Sequence, residues 1–120
     1  IEVLDSVFVN GKFTLGENIG DLGGVLGAYD GLQRLYEEIG RPEDIDGLTA
    51  EQRFFMSWAT VWRTKQRDES LRNQVKTDPH TPGRYRATEP LKNIDAFYEA
   101  FNITEGDAMF VAPEDRVRIW

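Results

Sequence analysis

Residues 14–24 read Thr14-Leu15-Gly16-Glu17-Asn18-Ile19-Gly20-Asp21-Leu22-Gly23-Gly24. Two carboxylates, Glu17 and Asp21, lie four residues apart in this apolar, glycine-rich run. In an α-helix that spacing places both side chains on one face, about one turn apart. A carboxylate on a buried face needs a metal ion, a cation or a hydrogen-bond network to receive it. The pair is therefore a candidate functional site, and the alternative is a helix cap plus a solvated carboxylate.

The composition limits the classes of function. The chain has 120 residues, 40% hydrophobic and 29% charged, as expected for one globular domain. Its net charge of −7 disfavours a nucleic-acid partner. No apolar run approaches the ~20 residues that a membrane-spanning helix needs. The absence of cysteine excludes disulfides and thiolate metal sites, and it leaves the compartment open.

The pattern around the carboxylates predicts one long helix, from about Leu15 to about Ile39. Thr14 is the expected N-cap, and Glu17 would then complete a capping box, which is a rival explanation for that carboxylate. Apolar residues recur at the spacing of a single helix face: Val25, Tyr29, Leu32 and Tyr36.

Glycine is unusually frequent in this helix. Each glycine costs roughly 1 kcal/mol relative to alanine in a helix interior. Close approach of another backbone would explain that cost, so we expect a deeply buried helix whose partners need not all lie in this chain. The six glycines are Gly16, Gly20, Gly23, Gly24, Gly27 and Gly31.

The remainder of the chain is also expected to be mainly helical. Thr49 and Gln52 have the spacing of a capping box and predict the start of a second helix. A core-facing aromatic stripe follows in it: Phe54, Phe55, Trp58, Val61 and Trp62. A short helix is predicted over residues 71–75, a turn-rich loop over residues 77–83, and a last helix capped by Asn93 that runs to Phe101.

A second group of candidate residues lies in Asp78-Pro79-His80-Thr81-Pro82-Gly83-Arg84-Tyr85-Arg86. By default a loop histidine is an exposed titrating group, and an arginine six residues later is a surface cation. The prolines on both sides of His80 stiffen the loop, as a positioned group requires. His80 and Arg86 are therefore candidates for a donor to developing negative charge and a fork for a carbonyl or carboxylate.

These two segments resemble motifs of the neprilysin and endothelin-converting-enzyme family of zinc metallopeptidases, E-N-x-x-D and D-x-H-x-P-x-x-[FY]-R. The resemblance implies that Glu17 is the third zinc ligand and that Asp21 holds a zinc-binding histidine in place. It implies that His80 stabilises the oxyanion of the tetrahedral intermediate. Arg86 would line the substrate site and contact carbonyl or carboxylate groups.

The end of the chain resembles the same family. Animal ectoenzymes of the family end in C-x-x-W, and this chain ends in Val117-Arg118-Ile119-Trp120. Valine in place of cysteine removes the disulfide, which is typical of a bacterial-type member. The family tryptophan is matched by Trp120.

A catalytic zinc of this type needs two histidines and a glutamate, with one open position for water. The chain has one histidine and no H-E-x-x-H motif. We therefore expect residues 1–120 to form the C-terminal helical part of a gluzincin-like metallopeptidase catalytic domain, with the H-E-x-x-H helix outside this chain. The start at Ile1, without an initiator methionine, is consistent with that expectation, and the isolated chain is expected to be inactive.

The resemblance implies a complete protein that is a zinc-dependent endopeptidase. Such an enzyme would hold one zinc ion, act on peptide substrates, and need its N-terminal remainder as a partner. It also implies a periplasmic or extracellular location. Two alternatives stay open: a non-enzymatic acidic helical interaction module, and a degenerate peptidase that keeps the fold and lacks the zinc helix.

Overall fold

A computed structural model describes residues 1–119, and Trp120 lies outside the described residues. Most of this part of the chain is helical, so the predicted mainly α class is confirmed. In chain order the elements are β1 (Glu2–Leu4), β2 (Val7–Phe8), α1 (Gly11–Ile39), α2 (Ala50–Val61), α3 (Asp68–Thr77), α4 (Gly83–Thr88), a 3-10 turn (Leu91–Asn93), α5 (Asp95–Phe101) and a second 3-10 turn (Pro113–Asp115). None of the helices described here is long and apolar enough to cross a membrane.

The long helix begins one turn earlier than predicted. Asn10 is the N-cap, and its side-chain oxygen accepts hydrogen bonds from the backbone N–H groups of Lys12 and Phe13, each at 3.2 Å. Thr14 lies inside the first turn, where its hydroxyl donates to the Asn10 carbonyl. The predicted capping box of Thr14 and Glu17 is therefore wrong, because asparagine caps a helix at least as well as threonine. The predicted end at Ile39 is confirmed.

The second helix begins as predicted. The Gln52 N–H donates to the Thr49 hydroxyl, and the Gln52 side chain accepts from the Thr49 N–H, which completes the capping box. Phe55 is 1% exposed and lies at the centre of the core. The predicted aromatic stripe fails at its end, because Val61 is 66% exposed. The stripe is therefore fully buried only at Phe55, which packs against Tyr29 of α1 and Phe97 of α5.

Two further boundaries differ from the prediction. Helix α3 is longer than predicted, and α4 begins at Gly83 directly after the loop. Asn93 does not cap the last helix. It lies in a 3-10 turn, where its side chain donates to the Glu89 carbonyl and accepts from the Val117 N–H, and Ile94 is the N-cap instead. Asn93 thus anchors the C-terminal tail.

The core lies where α1, α2 and α5 meet. Edge-to-face contacts link its aromatic rings, and the Phe55 and Phe97 ring centroids are 5.5 Å apart. This core holds α1 by one face and leaves the start of the helix beside α4. The buried apolar side chains are Leu22, Val25, Phe55, Leu91, Ile94, Phe97 and Tyr98.

The glycine-rich side of α1 is open. The buried residues of α1 lie on one face of the helix, and at about 3.6 residues per turn five of its glycines lie on the opposite side. Within residues 1–119, a Cβ atom added at any of those five would meet nothing within 4 Å. The close backbone approach predicted from the glycines is therefore not made by this part of the chain, and α1 is not deeply buried in it. The five are Gly16, Gly20, Gly24, Gly27 and Gly31.

The C-terminal tail is held by ion pairs. Asp95 accepts a hydrogen bond from Arg116 at 2.7 Å and two from Arg118 at 2.8 and 2.9 Å. The Arg116 guanidinium also lies 3.5 Å from the centroid of the Tyr98 ring. Ion pairs and a cation–π contact therefore help to hold the C-terminal tail in a chain that has no cysteine to form a disulfide.

We expect this attachment to weaken in acid. The arginine hydrogen bonds lower the pKa of Asp95 below its ordinary value of 3.8. Its contribution to the free energy of unfolding is then present above that value and is lost as the pH falls through the lower folded-state pKa. Asp95 is half exposed, and Arg116, although only 8% exposed, keeps its bond to the Val111 carbonyl and its contact with the Tyr98 ring. Asp95→Asn should therefore cost at most about 1 kcal/mol at neutral pH.

Urea unfolding of the wild type and Asp95→Asn near neutral pH and in strong acid measures that difference. The two stabilities should converge in acid. Asp44→Asn, in an exposed loop, is the matched control and should show no pH-dependent difference. A difference for Asp95→Asn that stays constant on acidification would contradict the prediction.

Candidate functional site

Two side-chain contacts join the first half of α1 to the segment that runs from the end of α3 into α4. Glu17 contacts His80, and Asp21 contacts Arg86. The structure therefore brings together all four residues singled out in the sequence, although more than sixty positions separate the two pairs.

The His80 ring is oriented by carboxylates on two sides. Its Nε2 lies 3.0 Å from Glu17 Oε2, and its Nδ1 lies 2.6 Å from Asp78 Oδ1. The same Asp78 oxygen accepts the His80 backbone N–H at 2.9 Å. These hydrogen bonds from the backbone and the ring lower the pKa of Asp78. An imidazole held in this way presents Nε2 toward Glu17.

Arg86 and Asp21 form a bidentate pair. Arg86 Nε donates to Asp21 Oδ2 at 2.6 Å, and Nη2 donates to Oδ1 at 2.7 Å. The Asp21 side chain is only 9% exposed and that of Arg86 only 15%. The hydrogen bond with Asp21 raises the pKa of Arg86. The carboxylate of Asp21 is therefore received by a cation, one of the outcomes that its place on a helix face requires.

Two tryptophans at the end of α2 contact Arg86. The Arg86 guanidinium lies 3.9 Å from the centroid of the Trp62 ring. The Trp58 indole N–H donates to the Arg86 carbonyl at 3.1 Å. Trp58 and Trp62 were predicted only as core residues, and they hold the backbone and side chain of Arg86 in position.

Sequence reasoning also missed Asp78 as a partner of His80. The available signal was its position, because an aspartate two residues before another residue commonly accepts that residue's backbone N–H. The contact between Trp62 and Arg86 had no comparable local signal, because it depends on how α4 packs against α2.

Glu17 has the chemistry of one zinc ligand. It is a carboxylate oxygen donor, 46% exposed, next to the open side of α1. Among the described residues no group of three or more histidine, cysteine, aspartate or glutamate side chains is placed to hold a metal ion. Glu17 therefore has the chemistry of one position of a His₂Glu site, and the described residues contain no complete ligand set.

The family is shown by comparison with known proteins. The model of Peptidase family M13 matches residues 1–117, and the chain belongs to this family. The resemblance drawn from the E-N-x-x-D and histidine–arginine segments is thereby confirmed.

Individual relatives agree with the family match. Membrane metallo-endopeptidase-like 1 of Homo sapiens is 40% identical over 121 residues, covering 99% of this chain and 15% of the relative. Endothelin-converting enzyme 1 of Bos taurus is 38% identical over 114 residues, covering 93% of this chain and 15% of the relative. The chain therefore spans less than a fifth of the curated relatives that it matches.

A solved structure has the same fold. The zinc metalloprotease Zmp1 of Mycobacterium tuberculosis, in its open state, superposes with a TM-score of 0.89 at 47% identity. The match covers 95% of this chain and 18% of the Zmp1 chain. This agrees with the predicted bacterial-type membership and with the mainly helical fold.

Proposed function

We propose that residues 1–120 are the C-terminal part of the catalytic domain of a zinc-dependent endopeptidase that hydrolyses peptides. The observation that carries the proposal is the convergence of Glu17 and Asp21 on α1 with His80 and Arg86 from the α3–α4 segment. Family membership supports the same chemistry.

In this proposal Glu17 is the third protein ligand of one zinc ion. Two histidines and a general-base glutamate come from an H-E-x-x-H helix outside this chain. When bound, zinc polarises a water molecule and the scissile carbonyl. The part of Glu17 is to supply one negatively charged oxygen from a helix that the core already fixes.

The open side of α1 supports a partner helix there. On the helix surface Glu17 lies between the packed face and the side that carries Gly16, Gly20 and Gly24. A second backbone can approach those glycines closely, because no side chain or neighbour of the described part of the chain fills the space. A helix seated on them would bring its own side chains beside Glu17.

Asp21 and Arg86 would work as one unit. The bidentate pair leaves each Asp21 oxygen one more lone pair, which suits the proposed role of orienting a zinc-bound histidine. The described hydrogen bonds of the Arg86 side chain within residues 1–119 use Nε and Nη2. Nη1 is left to donate to a substrate carbonyl or carboxylate, as the resemblance implies.

His80 would donate to the oxyanion of the tetrahedral intermediate. Nδ1 lies 2.6 Å from Asp78 Oδ1, so the ring is turned with Nε2 toward Glu17, and the proposed donor is an N–H group at Nε2. A donor already oriented toward developing charge lowers the barrier without reorganisation during the reaction.

The convergence of these residues favours the peptidase over a non-enzymatic acidic interaction module, which needs no such arrangement. A degenerate peptidase would differ in the gene immediately upstream, where the active enzyme must encode H-E-x-x-H. We also propose a periplasmic or extracellular location, which cell fractionation with an antibody to this chain would test.

His80→Phe in the complete protein is the direct test of the proposed mechanism. We expect kcat to fall by roughly 10²–10³, the usual loss for one oxyanion donor. The KM and the bound zinc should change little, because this contact forms mainly in the transition state. Steady-state kinetics on a quenched peptide and a zinc assay give the three quantities.

The control for this test is Lys76→Ala, an exposed position near the end of α3, which should keep the wild-type kcat. A near-normal kcat for His80→Phe with zinc bound would remove His80 from the mechanism.

A further inference from the structure

A hydrogen bond between two neutral side chains accompanies the Glu17–His80 and Asp21–Arg86 contacts of the site. The Thr81 hydroxyl donates to Asn18 Oδ1 at 2.8 Å, across 63 positions of the sequence. Thr81 directly follows His80, and Asn18 directly follows Glu17. Thr81 is only 4% exposed and Asn18 is partly buried, whereas the side chains of Glu17 and His80 are 46% and 40% exposed.

The Asn18 amide is fixed by a chain of further hydrogen bonds. Its Nδ2 donates to the Thr14 hydroxyl at 3.2 Å, and that hydroxyl donates to the carbonyl of the cap residue Asn10 at 3.2 Å. Thr14 is buried. Because the amide nitrogen already has an acceptor at Thr14, the amide oxygen faces Thr81. These hydrogen bonds thus link the Asn10 carbonyl at the start of α1 to the Thr81 hydroxyl in the loop, and each side chain between them has a partner.

The loop needs such an anchor. The ring contacts of His80 are with Glu17 and Asp78, half-exposed carboxylates whose attraction is screened by water and salt. On the other side, the Gln74 side chain donates to the His80 carbonyl at 3.3 Å. The Thr81 hydroxyl is buried, and a buried polar group that loses its partner cannot turn to water, so its bond to Asn18 constrains the loop.

We propose that Asn18 and Thr81 are positioning residues that set the distance of His80 from α1 and from the reaction centre. The inference rests on the proposed function, because it gives these residues an effect on catalysis through His80. Neither side chain touches the reacting groups. Their uncharged side chains join α1, which carries the proposed zinc ligand Glu17, to the loop that carries His80.

The test is a double-mutant cycle in the complete, zinc-loaded protein. Thr81→Val removes the hydroxyl and keeps the shape, and it is combined with His80→Phe. We expect Thr81→Val alone to lower kcat about tenfold with little change in KM, in the range found for residues that orient a catalytic group. In the His80→Phe background the same change should cost less than about twofold, because the residue it positions is gone.

Thr81→Ser keeps the hydroxyl and should restore kcat. Asn18→Ala removes the same bond from the other side, so it gives a second measurement if Thr81→Val does not fold. An equal loss of kcat for Thr81→Val with and without His80 would overturn the proposal, as would an undiminished kcat for both single variants. A wild-type kcat for His80→Phe would instead refute the proposed role of His80, and the cycle keeps these outcomes apart.

Discussion

Glu17→Gln in the complete protein is expected to abolish peptide hydrolysis by preventing zinc from binding. A neutral amide is a much weaker zinc ligand than a carboxylate, and the described part of the chain contains no group of three or more side chains that could hold the ion instead. The loss should exceed the roughly 100-fold that changes beside a ligand cost. Zinc content by atomic absorption and kcat/KM on a quenched peptide measure both parts of the prediction.

Glu38→Gln, at the exposed end of the same helix, is the matched control and should keep full zinc and full activity. The capping box is no longer a competing explanation for Glu17, because Asn10 caps α1. If Glu17→Gln retained zinc and rate, the remaining role of Glu17 would be its contact with His80.

Asp21→Ala should be the most destabilising of the site substitutions. It leaves the Arg86 guanidinium largely buried without its bidentate partner. Breaking a buried ion pair from one side costs about 3–5 kcal/mol, and the slight exposure of Arg86 favours the lower figure. Urea unfolding of this chain at neutral pH measures the change.

The control is Asp30→Ala on the same helix. Its ion pair with Arg34 has the spacing i, i+4 and is well exposed, so its loss should cost less than about 0.5 kcal/mol. Equal stabilities of the two variants would show that Asp21 and Arg86 contribute no more than a surface pair.

The sequence predicts the helices better than their boundaries. The periodicity and the Thr49–Gln52 box locate α1 and α2, but two good caps, Asn10 and Thr14, compete for the start of α1, and local pattern does not choose between them. Helix α4 was missed because Pro82 and Gly83 are typical of a loop. Proline is equally suitable just before a helix, and packing against α2 decides the outcome.

The four candidate residues were singled out because their types and spacings match a known pattern, and the structure brings them into contact. Their contacts could not be predicted. The pairing of Asp21 with Arg86 and the bond from Thr81 to Asn18 join segments more than sixty residues apart. Such contacts depend on how the helices pack, and neither sequence motif predicts that packing. The open glycine side of α1 could not be predicted either. The glycine pattern predicted close packing of this helix, but it did not show whether the packing partner lies within residues 1–119.

Helix α1 has one face packed on the core and an open side that carries glycines, and this difference affects how zinc would bind in the proposed enzyme. The core of this chain holds one face of α1, so the packing that fixes the backbone bearing Glu17, at a cost in conformational entropy, needs no metal ion. The binding free energy of zinc then does not have to include that cost. The zinc affinity of the proposed site would depend instead on how tightly the H-E-x-x-H helix packs against the glycines of α1. The zinc content of the complete protein would then measure how well the two parts of the catalytic domain are assembled.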